Sequence, residues 1–143
     1  MDDPFDLQRF VAAQEPVYER VLQELRAGQK RSHWMWFIFP QIRGLGRSEI
    51  SQRFAISGRA EAEAYLRHPV LGPRLEECTR LVNQVAGKSA HTIFGSPDDM
   101  KFRSCLTLFR AVAGKDNVFG QALDKYFNGE PDSATLDGGT DRL

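Results

Sequence analysis

The stretch SPDDMKFRSCLTLFRAVAG, residues 96–114, gives the clearest indication of the fold. Ser96 followed by Pro97 and two aspartates is typical of a helix start. A hydroxyl there can accept a hydrogen bond from a free amide, and carboxylates favour the positive end of the helix dipole. Apolar residues then recur at helical spacing as far as Gly114, and glycine commonly ends helices. The stretch therefore predicts a long helix that Ser96 caps and Gly114 ends.

Helical patterns continue on both sides of this stretch, and no segment shows the alternation of a strand. Predicted helices begin at Asp3, after Pro16, at Ser57, near residue 70 with Pro73 in the first turn, and at Asp116. The predicted ends are Gly28, His68-Pro69, Gly87 and Asn128-Gly129. The pattern predicts an all-α fold, a compact single domain over residues 1–143 with about five to seven short helices. The polar tail after about residue 130 is expected to be partly mobile.

Composition narrows the class of protein. The 143 residues include 19 Lys and Arg against 19 Asp and Glu, so the formal net charge is zero. A neutral chain has no general attraction to nucleic acid or to an acidic membrane. No apolar run approaches the roughly 20 residues that span a bilayer, and the acidic start MDDPFD is unlike a secretory signal. We therefore expect a soluble cytoplasmic protein with neither a membrane nor a nucleic acid as its partner.

The neutral total conceals one basic segment. Residues 1–27 carry a net charge of −3, residues 28–60 carry +5, residues 61–89 carry zero and residues 90–143 carry −2. The basic segment 28–60 also contains the aromatic run and the glycine turn described next. It is therefore the first place to look for a binding site.

The aromatic run HWMWFIFPQ, residues 33–41, contains both tryptophans of the chain. Because it is apolar on all sides, one interpretation is that it forms the centre of the core, buried all round. The other is that its polar atoms face a pocket: the His33 imidazole, the Trp34 and Trp36 indole N–H groups and the Gln41 amide. Buried indole N–H groups need partners, and a ligand is one such partner.

The glycine turn IRGLGRS, residues 42–48, follows directly. Gly44 and Gly46 allow positive φ and close backbone approach, and Ser48 is placed to cap a following helix. A glycine-rich turn before a helix can form an anion site, to which Arg43 and Arg47 would add charged hydrogen bonds. The alternative is a loop that needs glycine only for its turns.

The long helix adds two more candidates, Lys101 and Arg103, whose side chains could reach the same pocket or simply face solvent. No nucleophile–base arrangement or GxSxG motif is present, so catalytic residues and cofactors stay open. Cys78 and Cys105 lie in apolar helical patterns and are expected to be reduced and buried. Because the three histidines are scattered and no CxxC spacing occurs, no metal site is expected.

Two functions are compatible with these residues. The first is a module that binds a small anionic or nucleotide-like ligand in a polar and aromatic pocket. The second is a non-enzymatic protein–protein interaction module whose basic segment 28–60 faces an acidic partner. The sequence does not decide whether the protein is an enzyme.

Four longer blocks carry a family resemblance: GQKRSHWMWFIFPQIRGLGRSEIS, AEAYLRHPVLGPRL, TIFGSPDDMKFRSCLTLF and DKYFNGEPDSATL. With HWMWFIFPQ followed by GLG and serine as its signature, the chain resembles a family of small bacterial proteins catalogued as a domain of unknown function. The resemblance runs from about Phe5 to Leu136. Some genomes label members calpastatin, a name that nothing in this sequence supports. The resemblance implies a compact multi-helical fold and no established activity, cofactor or catalytic residue.

Overall fold

The helix predicted from residues 96–114 lies at the centre of the molecule. The structure, a computed structural model, describes residues 2–114 and 117–136 and contains ten helices over those residues, six of them with seven residues or more. In chain order they are α1 (Gln8–Gln14), α2 (Tyr18–Ala27), α3 (Met35–Ile38), α4 (Glu49–Arg53), α5 (Arg59–Arg67), α6 (Leu71–Gln84), α7 (Ala90–Phe94), α8 (Asp98–Ala113), α9 (Val118–Phe127) and α10 (Ser133–Leu136). The all-α prediction is confirmed.

Helix α8 packs against α5, α7, α9 and α10. Its central residues are buried from Ser104 to Phe109, so nearly every side of this part of the helix is covered. Gly114 follows it with a φ of +90°, as predicted for the end of the helix. The start was predicted one residue too early, because α8 begins at Asp98 and Pro97 occupies the N-cap position in place of Ser96.

Other helix ends follow local signals. Gly28 ends α2 with a φ of +70°, and Asn128 ends α9 with a φ of +55°, both in the left-handed region. The predicted cap of α9 was Asp116, which lies outside the described residues. Instead, the Asn117 side chain accepts a hydrogen bond from the Gly120 amide at 2.8 Å and caps the helix.

The predicted Ser57 cap was wrong. Helix α5 has Gly58 at its N-cap position. The hydrogen bonds run the other way, since Ser57 donates through its amide at 2.9 Å and its hydroxyl at 2.8 Å to the Glu61 carboxylate. Helix α6 also ends earlier than predicted, at Gln84 rather than Gly87.

The aromatic run forms much of the core, but it is not buried on every side. Trp34 and Phe39 are fully buried, and the Phe39 ring lies 4.9 Å from the Phe102 ring of α8, centroid to centroid. Trp36 is half-buried and His33 is exposed, so the expectation of burial all round was wrong at these two positions. The run therefore has one face in the core and one at the surface.

Two connections position the residues that follow the run. A parallel bridge joins Ile42 to Ile56, with hydrogen bonds from the Arg43 amide to the Ile56 carbonyl and from the Ile56 amide to the Gln41 carbonyl. Part of the predicted mobile tail, residues 130–136, packs on α8 through α10, and residues 137–143 lie outside the described part of the chain. No helix of the described residues is long and apolar enough to span a bilayer.

Candidate functional site

A cavity of about 370 Å³ lies where three distant segments meet: the turn after the aromatic run, the first two turns of α8 and the residues around the start of α10. We call it the α8 cavity, and it is lined by Gln41, Leu45, Gly46, Pro97, Met100, Lys101, Ser104, Asp132 and Ala134. Its wall combines a cation, a carboxylate, a hydroxyl and an amide. This mixture is typical of sites for small polar ligands, which fix orientation through a few placed polar groups.

Lys101 supplies the positive charge of the cavity. Its Nζ lies 3.6 Å from Asp98 Oδ1 and 5.2 Å from the centre of the Trp36 ring, so the ammonium lies over an aromatic face. The other Asp98 oxygen, Oδ2, pairs more closely with Lys30 Nζ, at 2.9 Å. One carboxylate therefore serves two ammonium groups, and this part of the site keeps a net positive charge.

Asp132 supplies the negative charge and is held against α8. Its Oδ2 accepts hydrogen bonds from Ser104 Oγ at 2.9 Å and from the Thr135 amide at 3.1 Å, and Thr135 Oγ1 donates to the same oxygen. The Asp132 amide donates to Thr107 Oγ1 at 2.8 Å. These contacts hold the carboxylate in one orientation against the helix.

The glycine turn forms the rim. A Cβ on Gly46 would come within 2.5 Å of the Ser51 Cβ and Oγ atoms, so only glycine allows the turn to approach α4 this closely. Ser48 caps α4 as predicted, because its Oγ accepts a hydrogen bond from the Ser51 amide at 3.2 Å. The Ser51 amide, which the predicted anion site required as a free donor, is therefore already hydrogen-bonded.

The structure brings four of the predicted binding residues together. Gln41, Gly46 and Lys101 line the α8 cavity, and Trp36 lies beneath Lys101. The hydrogen bond from the Ile56 amide to the Gln41 carbonyl anchors the backbone of Gln41 beside the cavity.

The other predicted residues lie elsewhere. Trp34 is buried, and its Nε1 donates to Glu24 at 2.9 Å, so this indole already has its partner. Arg103 Nε donates to the Glu130 carbonyl at 2.9 Å, and its guanidinium also lies near the Phe127 ring, away from the cavity lining. The remaining five, His33, Arg43, Gly44, Arg47 and Ser48, are exposed and outside the lining.

Asp132 was missed by the sequence reasoning, which treated the segment as a polar tail. A signal was present, because Asp132 precedes Ser133-Ala134-Thr135 with the spacing of a capping aspartate and the amide three residues later. That pattern predicts a short helix start. It does not predict contact with α8.

Two further cavities are lined in part by polar groups that already have partners. One of about 600 Å³ lies at the N-terminal end, but its Asp3 carboxylate accepts two backbone amides and its His68 Nδ1 accepts two more. One of about 300 Å³ includes Glu63, which pairs with Arg59 at 3.2 Å. Within the described residues, no group of three or more His, Cys, Asp or Glu side chains could hold a metal ion.

Comparisons with known proteins identify the family. The family model described as Protein of unknown function (DUF1810) matches residues 4–138. The crystal structure of the conserved hypothetical protein Rv1873 from Mycobacterium tuberculosis is similar, with 56% sequence identity, coverage of 94% of this chain and 96% of that chain, and a TM-score of 0.93. No curated protein matches the sequence. The resemblance to a domain-of-unknown-function family is confirmed, and the chain belongs to the DUF1810 family.

Proposed function

We propose that the α8 cavity binds a small anionic or nucleotide-like ligand, with the Lys101 ammonium as its main charged contact and the Gln41 amide as a hydrogen-bonding partner. One observation carries the proposal: residues from separate segments, Gln41 and Gly46 in one and Lys101 in the other, line a single cavity. Its volume of about 370 Å³ lies within the range of small-molecule sites, about 300–1,000 Å³.

The ion pairs around Lys101 support an anionic ligand. The 3.6 Å contact between Lys101 and Asp98 is long for an ion pair, whereas Lys30 holds the same carboxylate at 2.9 Å. An anion can therefore form an ion pair with the Lys101 ammonium while Asp98 stays paired with Lys30. The Lys101 side chain is 25% exposed, so its charge is partly desolvated and still accessible.

Thermal unfolding and calorimetry with a panel of nucleotides and sugar phosphates test the proposal. A ligand at 100 times its Kd stabilises the folded state by about 2.7 kcal/mol, which raises the Tm of a chain of this size by about 8–10 °C. Lys101→Met should weaken binding about tenfold or more, because it removes a charged hydrogen-bond donor and keeps the aliphatic stem.

Lys125→Met is the matched control, since Lys125 lies on α9 and its Nζ donates to the Asn83 and Val85 carbonyls instead. The substitution removes one positive charge at a site away from the cavity, so this variant should bind the ligand with wild-type affinity. Unchanged ligand affinity in Lys101→Met, or no stabilisation by any anion of the panel, would contradict the proposal.

The second candidate is the interaction module, and the exposed arginines of the basic segment favour it. The guanidinium groups of Arg43 and Arg47 form no ion pair with any residue that the structure describes, and Ile50, 37% exposed, follows them in the chain. An acidic partner would meet charge and apolar surface together. Under this alternative, the double charge reversal Arg43→Glu and Arg47→Glu abolishes capture of that partner, whereas Lys101→Met does not.

A further inference from the structure

The two carboxylate oxygens of Asp132 differ in their hydrogen bonds. Three donors meet at Oδ2, one from Ser104 and two from Thr135. No hydrogen bond reaches Oδ1 from the residues that the structure describes, although Asp132 lines the cavity. Because the bonds to Oδ2 restrict rotation of the carboxylate, Oδ1 is a fixed acceptor available to a donor on a ligand.

The distance between the two charges limits the ligand. Lys101 and Ser104 are three residues apart on α8, so their Cβ atoms are about 5–6 Å apart on one face of the helix. The Asp132 carboxylate lies 2.9 Å from Ser104 Oγ and forms no ion pair with Lys101 in the part of the chain that the structure describes, so the two charges are separate. A ligand that contacts both groups therefore needs a hydrogen-bond donor that is separate from its anionic group. Inorganic phosphate has no donor group apart from its anionic group, and in an α-amino acid the two charged groups are attached to a single carbon.

The signs of the two charges orient the ligand. The anionic group belongs at Lys101, since Asp132 would repel it at the other end. A neutral hydroxyl can donate to a carboxylate without adding charge, and a donor bound to a charged acceptor forms a strong hydrogen bond. A second anionic group at the Asp132 end would be repelled, so bisphosphates fit poorly.

We infer that the α8 cavity takes a phosphorylated sugar, with its phosphate on Lys101 and a sugar hydroxyl donating to Asp132 Oδ1. This inference rests on the proposed function and narrows its ligand class. The sugar is either free or part of a nucleoside monophosphate, since both carry a phosphate and hydroxyls at comparable separation. Asp132 is then the residue that determines specificity for hydroxylated ligands.

Calorimetric titration of the wild type with four probes tests this inference without any variant. The probes are ribose 5-phosphate, AMP, inorganic phosphate and pentyl phosphate, which has a chain of similar length and no hydroxyl. Ribose 5-phosphate should bind about tenfold more tightly than inorganic phosphate or pentyl phosphate, the value of one hydrogen bond to a charged group. AMP binding more tightly than ribose 5-phosphate supports a nucleotide as the source of the sugar phosphate, and weaker AMP binding supports the free sugar phosphate.

Asp132→Asn then assigns the hydroxyl contact. Its amide oxygen can replace Oδ2 toward Ser104 and Thr135, which leaves an NH₂ donor in place of the open acceptor. Ribose 5-phosphate should bind about tenfold more weakly, while inorganic phosphate binds unchanged or more tightly because a negative charge is lost. Asp124→Asn, an exposed position on α9, is the matched control and should leave all four affinities unchanged.

The two proposals fail in different ways. Equal wild-type affinity for ribose 5-phosphate and pentyl phosphate, with both lost in Lys101→Met, overturns the sugar inference and leaves the anion site intact. Equal weakening of ribose 5-phosphate and inorganic phosphate in Asp132→Asn also overturns it, because that pattern indicates a structural role alone. Binding of none of the anions to the wild type overturns the proposed function itself.

Discussion

Removing the Glu24 side chain should destabilise the fold at the point where the aromatic run joins α2. The Glu24 side chain is buried, and its carboxylate accepts four hydrogen bonds. They come from the Arg31 amide at 2.8 Å, the Ser32 amide at 3.1 Å, Ser32 Oγ at 2.6 Å and Trp34 Nε1 at 2.9 Å. One side chain thus anchors the segment that leads to Trp36 and the cavity.

The size of the effect follows from which donors lose their acceptor. In Glu24→Ala the Trp34 indole N–H, in a side chain only 1% exposed, cannot turn to water, and an unsatisfied buried donor costs about 1–3 kcal/mol. Arg31 is exposed and Ser32 is half-buried, so water can partly replace their acceptor. With the lost packing of the Glu24 stem, we expect a total of about 3–5 kcal/mol. Glu24→Gln keeps Oε1 as acceptor, and Ser32 Oγ can accept from its NH₂, so about 1–2 kcal/mol is expected.

The charge of Glu24 adds a pH dependence. Burial raises the pKa of the carboxyl, but the hydrogen bonds from Ser32, Arg31 and Trp34 together lower it below its usual value. A pKa lower in the folded than in the unfolded state means that the folded state favours the carboxylate. The stabilisation is therefore complete above the unfolded glutamate pKa of about 4.3 and is lost as the pH falls through the folded pKa.

Unfolding in guanidinium chloride, followed by the fluorescence of the two tryptophans, measures these changes. Glu19→Ala, on the exposed side of the same helix, is the control and should cost little. The difference between the wild type and Glu24→Gln should narrow as the pH is lowered from 7 toward the folded pKa. A Glu24→Ala cost below about 1 kcal/mol, or a wild-type–Gln difference that does not change with pH, would refute the reasoning.

Two further predictions concern the close packing of the core. Gly72→Ala should cost about 3 kcal/mol or more in chemical unfolding, because the new Cβ would lie 2.1 Å from the Leu66 carbonyl oxygen and force the backbones of α5 and α6 apart. Gly120→Ala is the control, because the nearest neighbouring atom to its new Cβ would be 3.5 Å away. It should stabilise α9 by up to about 1 kcal/mol. Equal effects of the two substitutions would contradict the close approach of Gly72 to Leu66. Burial raises the pKa of Cys78 to about 12 and that of Cys105 well above its usual value, so neither thiol should react with a disulfide reagent at pH 8 until the protein unfolds. Reaction of either thiol in the folded protein at the rate of a free thiol would count against this burial.

Helix ends that depend on backbone conformation could be predicted from the sequence, and those that depend on distant partners could not. Gly28 and Asn128 take up left-handed conformations that few other residues tolerate, so their positions follow from local physics. Ser57 looks like a cap, but Glu61 is held by Arg9 at 2.9 Å, 52 residues away in the chain. Arg9 and Ser57 therefore both donate to the Glu61 carboxylate in the first turn of α5, whereas Ser57 was expected to be the acceptor. Local spacing predicted the position of Ser57 at the start of the helix, but it could not show that Arg9 would contact Glu61 there.

The same distinction explains the candidate site. Lys101 and Arg103 both looked able to reach one pocket, but residues two apart on a helix lie about 200° apart around its axis. A ligand against Lys101 therefore lies on the side opposite to Arg103, which binds Glu130. The net charge of +5 over residues 28–60 overstates the charge at the cavity for a related reason, since Arg43 and Arg47 are exposed and outside its lining.

The charge near the cavity depends on contacts between segments that are far apart in the chain. Lys30, Asp98 and Lys101 together carry one net positive charge, and Asp132, which is hydrogen-bonded to Ser104, adds a negative charge. Summed along the sequence, these charges cancel, whereas in space they form two separate ends. A ligand with one anionic end and one hydroxylated end therefore fits this site better than a ligand of higher net charge. Raising the ionic strength should weaken the contact at Lys101 more than the hydrogen bond at Asp132, because a neutral hydroxyl carries no net charge to be screened.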